Sequence, residues 1–306
     1  TGGHQNSFRV ISGQFPGNEF TDDQLQEAID VARCYAMQEP LTQWPDSGPL
    51  ATLLESNVLG SDLKPGVIVA TRQYPNIDAT EYQLSNGICV CCKWMPDAAR
   101  GQVSMQGFAL GGSTELSEEE EAMMSCLDDI CTRSGLAGVN GRNYSEIQSR
   151  YKTRVNTQRH YHHRGIGGSS PTKRFELLLQ MLHLKLTAQT FDPVAFHRCI
   201  KQQRDAVEFR DNAPEFNFME RARVLTVGDV PIMRVVTNEV FDRLSLEMAK
   251  DLYTRAFMLD PTEFTFVFVG DLPPRETLES LLQQYVGSLQ PMRASEEVIA
   301  FELQPW

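Results

Sequence analysis

The sequence has 306 residues, of which 41% are hydrophobic and 22% charged, with a formal net charge of −12 and a pI near 5.0. This composition is typical of a soluble globular protein, and the acidic balance argues against a nucleic-acid partner, because phosphate binding requires clustered Lys and Arg in excess. No apolar run approaches the roughly 20 residues that cross a bilayer, and the amino terminus lacks a secretion pattern, so no membrane partner is predicted.

Residues 1–75 are expected to form the end of a preceding unit and a connector. Thr21 and Gln24 have capping-box spacing ahead of an apolar stripe at helical intervals, which predicts a helix in this segment. Four prolines between positions 40 and 65 then interrupt the chain.

The next segment predicts the start of an antiparallel sheet. Two extended runs, Glu81–Leu84 and Ile88–Met95, flank Ser85-Asn86-Gly87, and an Asn-Gly pair favours a tight hairpin since both residues tolerate positive φ. Gln102–Leu110 alternates small or apolar residues with polar or larger ones, which predicts a third strand paired with this hairpin.

Seven cysteines are an odd number, so a complete disulfide framework is excluded. Cys89, Cys91 and Cys92 lie in one predicted strand, whose alternation directs Cys89 and Cys91 to one face and Cys92 to the other. A metal site there would need ligands from elsewhere in the chain. We therefore interpret the cysteines as reduced, buried thiols, which favours a reducing compartment without identifying it.

A helix is predicted after Ser117, which can cap it while the Glu120 side chain reaches back. Its apolar face consists of Met123, Cys126, Leu127, Ile130 and Cys131. Asp128 and Asp129 are assigned to the solvated face.

The segment Arg142–Arg174 is basic, with eight Lys and Arg against one acidic residue. It predicts a short helix over Asn143–Tyr151 and two strands within Thr153–Ile166 that turn near Gln158. On a strand, His160 and His162 would project together. Three interpretations stay open for the basic strip of Arg159, His160, His162 and Arg164: a metal-binding histidine pair, a solvated strand, which we prefer, or a wall facing acidic peptides.

Helices follow this segment. The glycine-rich run Gly165–Ser170 lacks the lysine of a phosphate loop and the dinucleotide-binding spacing, so nucleotide binding is not predicted. Instead, Ser169 or Ser170 is expected to cap a helix that Pro171 begins, and Asp192-Pro193 starts another helix in the same way. Further helices are expected at residues 213–225 and Leu244–Phe257.

The clearest element is the strand, turn and helix within Phe264–Leu289. The run Phe264–Val269 has the composition of a strand buried on both faces, and Gly270-Asp271 ends it. A helix follows Pro273-Pro274 and stops at Gly287. The tail at residues 291–306 contains an extended run, Val298–Leu303.

These stretches, in this order, resemble a repeat unit of the pitrilysin/insulinase family of inverted zinc metallopeptidases. The matching stretches are Leu84–Gly87, Gly111–Ser113, Ser134–Leu136, Gly167–Ser170, Phe191–Pro193 and Phe264–Leu289. The resemblance implies an α+β fold, a mostly antiparallel sheet with helices on one face, over residues 76–290. Residues 291–306 would be a tail or the start of a next unit.

The resemblance also sets an expectation about catalysis. In that family four units, paired into two bowl-shaped halves, enclose a peptide chamber, and the first unit binds zinc through a helical His-x-x-Glu-His motif. The corresponding helix here, Ala122–Cys131, has no histidine, and no two of the six histidines are four apart. We therefore predict no catalytic or metal-binding residue in this chain, and expect zinc in a catalytic unit outside it.

The connector before the hairpin resembles the entry to a third unit, so the first hypothesis is a non-catalytic fragment of a zinc metallopeptidase that forms chamber wall and interface. Its partners would be the catalytic half of the same polypeptide, or a paired subunit, and a peptide substrate. The alternative is a non-enzymatic structural or assembly subunit of the same family. An unrelated Ser or Cys hydrolase is disfavoured, because no Gly-x-Ser-x-Gly occurs.

Overall fold

The computed structural model describes residues 63–112, 116–228 and 236–292, together with the isolated positions Gln26 and Asp30. By compactness the chain divides into Thr1–Ser47 and Gly48–Trp306, and all described residues except Gln26 and Asp30 belong to the second unit. Gln26 and Asp30 are both helical, as predicted for their segment. The rest of that helix and the extended run predicted near the carboxyl terminus lie outside the described residues.

A single sheet organises the second unit. Its strands are β1 Ile68–Tyr74, β2 Ala79–Leu84, β3 Cys89–Trp94, β4 Gln102–Leu110, β5 Arg154–Arg159, β6 His163–Pro171 and β7 Thr265–Gly270. The spatial order is β1-β2-β3-β7-β4-β6-β5. Only β3 and β7 pair in parallel among these strands, so the predicted mostly antiparallel sheet is confirmed.

Strand β7 occupies the middle of the sheet, but it is not buried on both faces as predicted. Phe266 and Phe268 are fully buried on the helix side, where Phe268 meets the Phe175 ring edge-on at 5.5 Å. Val267 and Val269 alternate with them and are only half-buried on the opposite face. The aromatic residues that predict the strand thus fill one face of the sheet.

The pairing of β4 also differs from the prediction. The strand has the predicted bounds, but it pairs with β7 and β6 and not with the β2–β3 hairpin. Gly107 permits this arrangement, because a Cβ at that position would lie 2.6 Å from the Phe266 ring. The sequence pattern predicts no strand at β1, which pairs with β2 although it lies within the stretch expected to be a connector.

The longer helices follow the sequence closely. They are α1 Glu118–Ser134, α2 Gly141–Tyr151, α3 Phe175–Thr187, α4 Pro193–Asp211, α5 Pro214–Val227, α6 Asn238–Arg243, α7 Leu246–Tyr253 and α8 Arg275–Leu281. At the start of α1 the capping box of Ser117 and Glu120 is present, and Asp192 caps α4 by accepting a hydrogen bond from the Val194 N–H. Both predicted caps are confirmed.

Two helix starts are corrected. Neither Ser169 nor Ser170 caps a helix, because strand β6 continues through both residues and α3 begins only at Phe175, after a 3₁₀ turn. The helix predicted over Leu244–Phe257 is present but begins two residues later, at Leu246 after its Ser245 cap, and it continues through the π-helical turn Thr254–Met258. The preceding helix α6 was not predicted.

The sheet is covered on one side. Buried residues of β2, β3, β4 and β7 project towards one face, together with the buried faces of α1 and α3, and form a continuous core. The other surface of the sheet, which we call the open face, carries half-exposed or exposed residues such as Glu81, Ser104 and Gln106. The predicted α+β fold with helices on one face is thus confirmed. None of the described helices has the length and apolar character required to span a membrane.

Candidate functional site

Helix α1 is the helix for which the resemblance leads us to expect the position of the zinc motif. All five residues predicted for its apolar face are buried: Met123, Cys126, Leu127, Ile130 and Cys131. These side chains belong to the main core, where α1 packs against α4, α7 and strand β5. The face that would present metal ligands in a catalytic unit is here an apolar packing surface.

Asp128 has a structural role and does not belong to a solvated face, which corrects the prediction. Its Oδ1 accepts hydrogen bonds from the backbone N–H of Thr157 at 2.6 Å and from the Thr157 hydroxyl at 3.0 Å. Thr157 lies on β5, the last strand in the order, so its N–H has no neighbouring strand on that side. Asp128 therefore satisfies an edge group of the sheet and ties α1 to it.

Asp129 lies closer to the surface. It binds Arg133 one turn later on the helix, with the Arg133 Nε 3.0 Å from Asp129 Oδ1, and both side chains are about two-fifths exposed. Its second oxygen accepts a bond from the Cys199 thiol at 3.3 Å. Both aspartates of α1 are thus engaged within the protein.

The cysteines are free thiols at the six positions described. As predicted, β3 directs Cys92 into the core and leaves Cys89 and Cys91 half-buried on the other face. Cys89 and Cys92 therefore face opposite sides of the sheet, although they have Cys-x-x-Cys spacing. Burial raises the pKa of all six thiols, to about 12 for Cys126, Cys131 and Cys199. They stay protonated at neutral pH and are poor nucleophiles or metal ligands.

The donor set around α1 does not fit a zinc ion. Zinc in proteins is bound by thiolates, imidazoles and carboxylates. Here the helix offers thiols with raised pKa values and carboxylates that already accept hydrogen bonds. Within residues 63–112, 116–228 and 236–292, no group of three or more His, Cys, Asp or Glu side chains is arranged to hold a metal.

The basic strip surrounds the turn between β5 and β6. The turn lies at residues 160–162, two positions later than predicted, because the His160 N–H bonds the His163 carbonyl while Gln158 remains paired in the strand. His160 and His162 therefore do not project together from a strand. Instead the His160 ring stacks on His163 at a centroid distance of 4.1 Å, and His160 and His162 are exposed.

Arg164 points away from the open face. Its guanidinium binds the Glu263 carboxylate and the Leu110 carbonyl, and it lies over the Phe264 ring at 5.7 Å. Its charge is thus matched locally. Arg159 is the register partner of Arg164 on β5, and its backbone alone is described. Among the described side chains of the strip, His160 and His162 are the ones that face solvent.

Polar residues that the sequence analysis did not select lie on the open face. Gln106 on β4 and Gln158 on β5 reach towards each other across β6, and their side-chain amides form a hydrogen bond of 2.6 Å. Gly165 and Gly167 leave room for this bridge, because a Cβ on Gly167 would lie 2.1 Å from the Gln158 amide nitrogen. The glycine-rich run thus permits an amide pair on a sheet surface.

Lys185 is another residue that the sequence analysis did not select. It is fully buried on α3, with its ammonium 5.9 Å from the centre of the Tyr144 ring, and its carbonyl accepts a bond from the Tyr253 hydroxyl at 2.9 Å. In the sequence, the indication of this burial is a single lysine within the apolar run of α3. Its position within the helix layer makes it part of the packing.

The fold and this site together describe an α+β unit that resembles the pitrilysin repeat, in which helix α1 is a packing element. No family model matches the chain. A zinc protease PQQL-like protein of Arabidopsis thaliana is 24% identical over 280 residues, which cover 92% of this chain and 26% of the relative. The chain thus spans about a quarter of that relative's length.

Solved structures show the same fold. The periplasmic protease PqqL from Escherichia coli has a TM-score of 0.66 at 16% identity, covering 77% of this chain and 26% of that one. A peptidase M16 inactive domain from Pseudomonas fluorescens gives 0.56 at 14% identity, covering 72% and 53%. Pitrilysin gives 0.55 at 11% identity, covering 74% and 24%. These findings confirm the predicted resemblance to the pitrilysin/insulinase family, in a part without the inverted motif.

Replacing Asp128 with Ala should lower the free energy of unfolding by about 2 kcal/mol, because the Thr157 N–H loses its acceptor while remaining buried. Asp129→Ala is the matched control. It removes a partly exposed ion pair and should cost at most about 1 kcal/mol. Asp128→Asn keeps an acceptor oxygen and should lose less than the Ala variant. Urea unfolding followed by circular dichroism measures all three, and equal losses in the two Ala variants would contradict the role assigned to Asp128.

Proposed function

We propose that the chain is a non-catalytic unit of a zinc metallopeptidase, which contributes wall and interface to a chamber where peptides are cleaved. The zinc ion and its His-x-x-Glu-His helix then belong to a catalytic unit outside this chain. The observation that supports the proposal is that helix α1 buries Met123, Cys126 and Ile130. From the resemblance, we assign this helix the place of the motif helix.

The lengths of the relatives support this assignment. The Arabidopsis relative is named a zinc protease and is about four times as long as the stretch matched here, since that stretch is 26% of it. Solved relatives also include the first half of PqqL, of which this chain covers 49%. We propose residues 76–290, extended by strand β1, as the repeat unit, in the position of the third unit, with the catalytic half as its partner.

The open face is the part of the unit proposed to line the chamber. It presents side-chain amides, of which Gln106 and Gln158 are paired, beside half-buried thiols and valines. Such a surface offers hydrogen bonds and modest apolar contact to a peptide and carries no catalytic group. The histidines of the β5–β6 turn adjoin this face and are proposed to contact acidic segments of the peptide.

A second candidate function is that of a structural or assembly subunit without any peptidase partner. The same buried face of α1 is consistent with it, because an apolar helix lacks catalytic groups in either case. The two candidates differ in whether a unit bearing the zinc motif binds this chain and becomes active with it.

Peptidase activity on mixing tests the proposal. This chain with zinc should not cleave a fluorogenic peptide library, and the separately produced motif-bearing half should be weak or silent. The mixture should cleave, because the chamber is then complete. The control is the same mixture with the motif glutamate of the catalytic half replaced by Gln, which should abolish cleavage. Activity of this chain alone would refute the proposal, and silence of the mixture would favour the structural subunit.

Glu substitutions at His160 and His162 test the contact with acidic peptides. In the active mixture, the double variant should raise KM for an acidic peptide by about threefold to tenfold and leave a neutral peptide unchanged, because it replaces exposed imidazoles by carboxylates. Lys173→Glu, at an exposed site beyond the other end of β6, is the control. Arg164 is unsuitable, since its substitution would break the bond to Glu263. If the double variant left KM unchanged for both the acidic and the neutral peptide, the proposed contact would be wrong.

A further inference from the structure

Helices α4 and α5 follow each other directly, and the stretch around and after their junction exposes several large apolar side chains. Asn212 and Ala213 connect the two helices, and the Ala213 N–H bonds the Arg210 carbonyl at 2.9 Å. Five large apolar side chains within residues 209–225 are exposed: Phe209 (82%), Phe218 (71%), Met219 (64%), Val224 (39%) and Leu225 (86%). Scattered exposed apolar residues are ordinary, but this group lies within 17 consecutive residues.

The spacing on α5 makes these residues a continuous stripe. Phe218, Ala222 and Leu225 recur at intervals of four and three, which places them on one side of the helix, with Met219 beside them. Over Pro214–Thr226, no side chain is buried. A helix whose described side chains are at most half-buried gains little stability from packing, and packing of an apolar face supplies most helical stability in proteins. The stripe therefore has the character of a surface that packs against a partner.

We propose that this stripe, with Phe209, docks onto a second α+β unit of the same family, the unit that completes one half of the protein. The inference rests on the proposed function and specifies one of its interfaces. The inactive domain from Pseudomonas fluorescens supports it, because the match covers 53% of that chain and leaves a segment of nearly equal length for another unit.

The chemistry of the stripe favours a permanent partner over a transient one. Obligate interfaces are largely apolar and resemble the hydrophobic core of a domain, whereas transient interfaces are more polar. The Arg223 Nε binds the Glu220 carboxylate at 2.9 Å on the side of α5 turned away from the stripe, so this charge pair does not interrupt it. The stripe thus offers mainly apolar contact.

Binding of the neighbouring unit tests the inference. This chain and the adjacent α+β unit of the full-length protein, produced as separate polypeptides, are titrated in a calorimeter. The variant Phe218→Ser with Leu225→Ser should bind at least about thirtyfold more weakly, because two exposed anchors are lost from the contact. Both positions are exposed, so folding should be retained and is checked by circular dichroism. Leu110→Ser, at an 81% exposed leucine of β4, is the matched control and should change the affinity by less than about twofold.

Three results would overturn the inference. The double variant could bind as tightly as the unchanged chain, the unchanged chain could fail to bind the neighbouring unit, or sedimentation could show that the stripe pairs two copies of this chain. Failure of the proposed function is separate from these results. If the neighbouring unit binds through the stripe but mixing with the motif-bearing half yields no cleavage, the docking surface stands and the peptidase proposal falls.

Discussion

The structure depends on the insertion of strand β7 between β3 and β4. Without β7 the sheet would consist of two separate pieces, β1–β3 on one side and β4, β6 and β5 on the other. Hydrogen bonds at its end hold both pieces: the Met95 N–H bonds the Gly270 carbonyl at 2.7 Å, and the Asp271 N–H bonds the Gln102 carbonyl at 2.9 Å. Since the intervening helices separate β7 from both neighbours in sequence, the sheet closes only when distant parts of the chain meet.

This central strand also determines which side of the sheet receives the helices. Phe264, Phe266 and Phe268 project towards α1 and α3, and their burial commits that face to the core. Helix α1 must then present apolar side chains to the sheet, and Asp128 is used to satisfy the edge strand through Thr157. The packing of one face of α1 therefore stabilises the fold and also explains why this helix offers no zinc ligands. The open face is left uncovered by these helices.

Local features could be predicted from the sequence because short-range chemistry determines them. The capping box at Ser117 and the Asp192 cap depend on neighbouring residues alone, and the alternation in β3 is visible within a few positions. The partners of β4 could not be predicted, since they depend on the arrival of β7. Strand β1 was missed because nearly all its side chains are exposed and show no alternation.

The errors near the site have similar physical causes. Gly165–Ser170 has the composition of a loop, yet these glycines belong to β6 because they leave space for the Gln106–Gln158 bridge. Asp128 has the sequence pattern of a surface residue, and its role depends on a strand edge far along the chain. The resemblance to the family was recognisable because it rests on the order of many short segments, which survives at 24% identity.

Helix α1 is a packing helix, and the described residues of this unit contain no group arranged to hold zinc. We would test this by measuring zinc by mass spectrometry after the purified chain has been equilibrated with equimolar zinc and desalted. Bound zinc should stay far below one ion per chain, because the thiols of α1 are buried and protonated and its two aspartates are engaged. Close to one tightly held zinc ion per chain would contradict it.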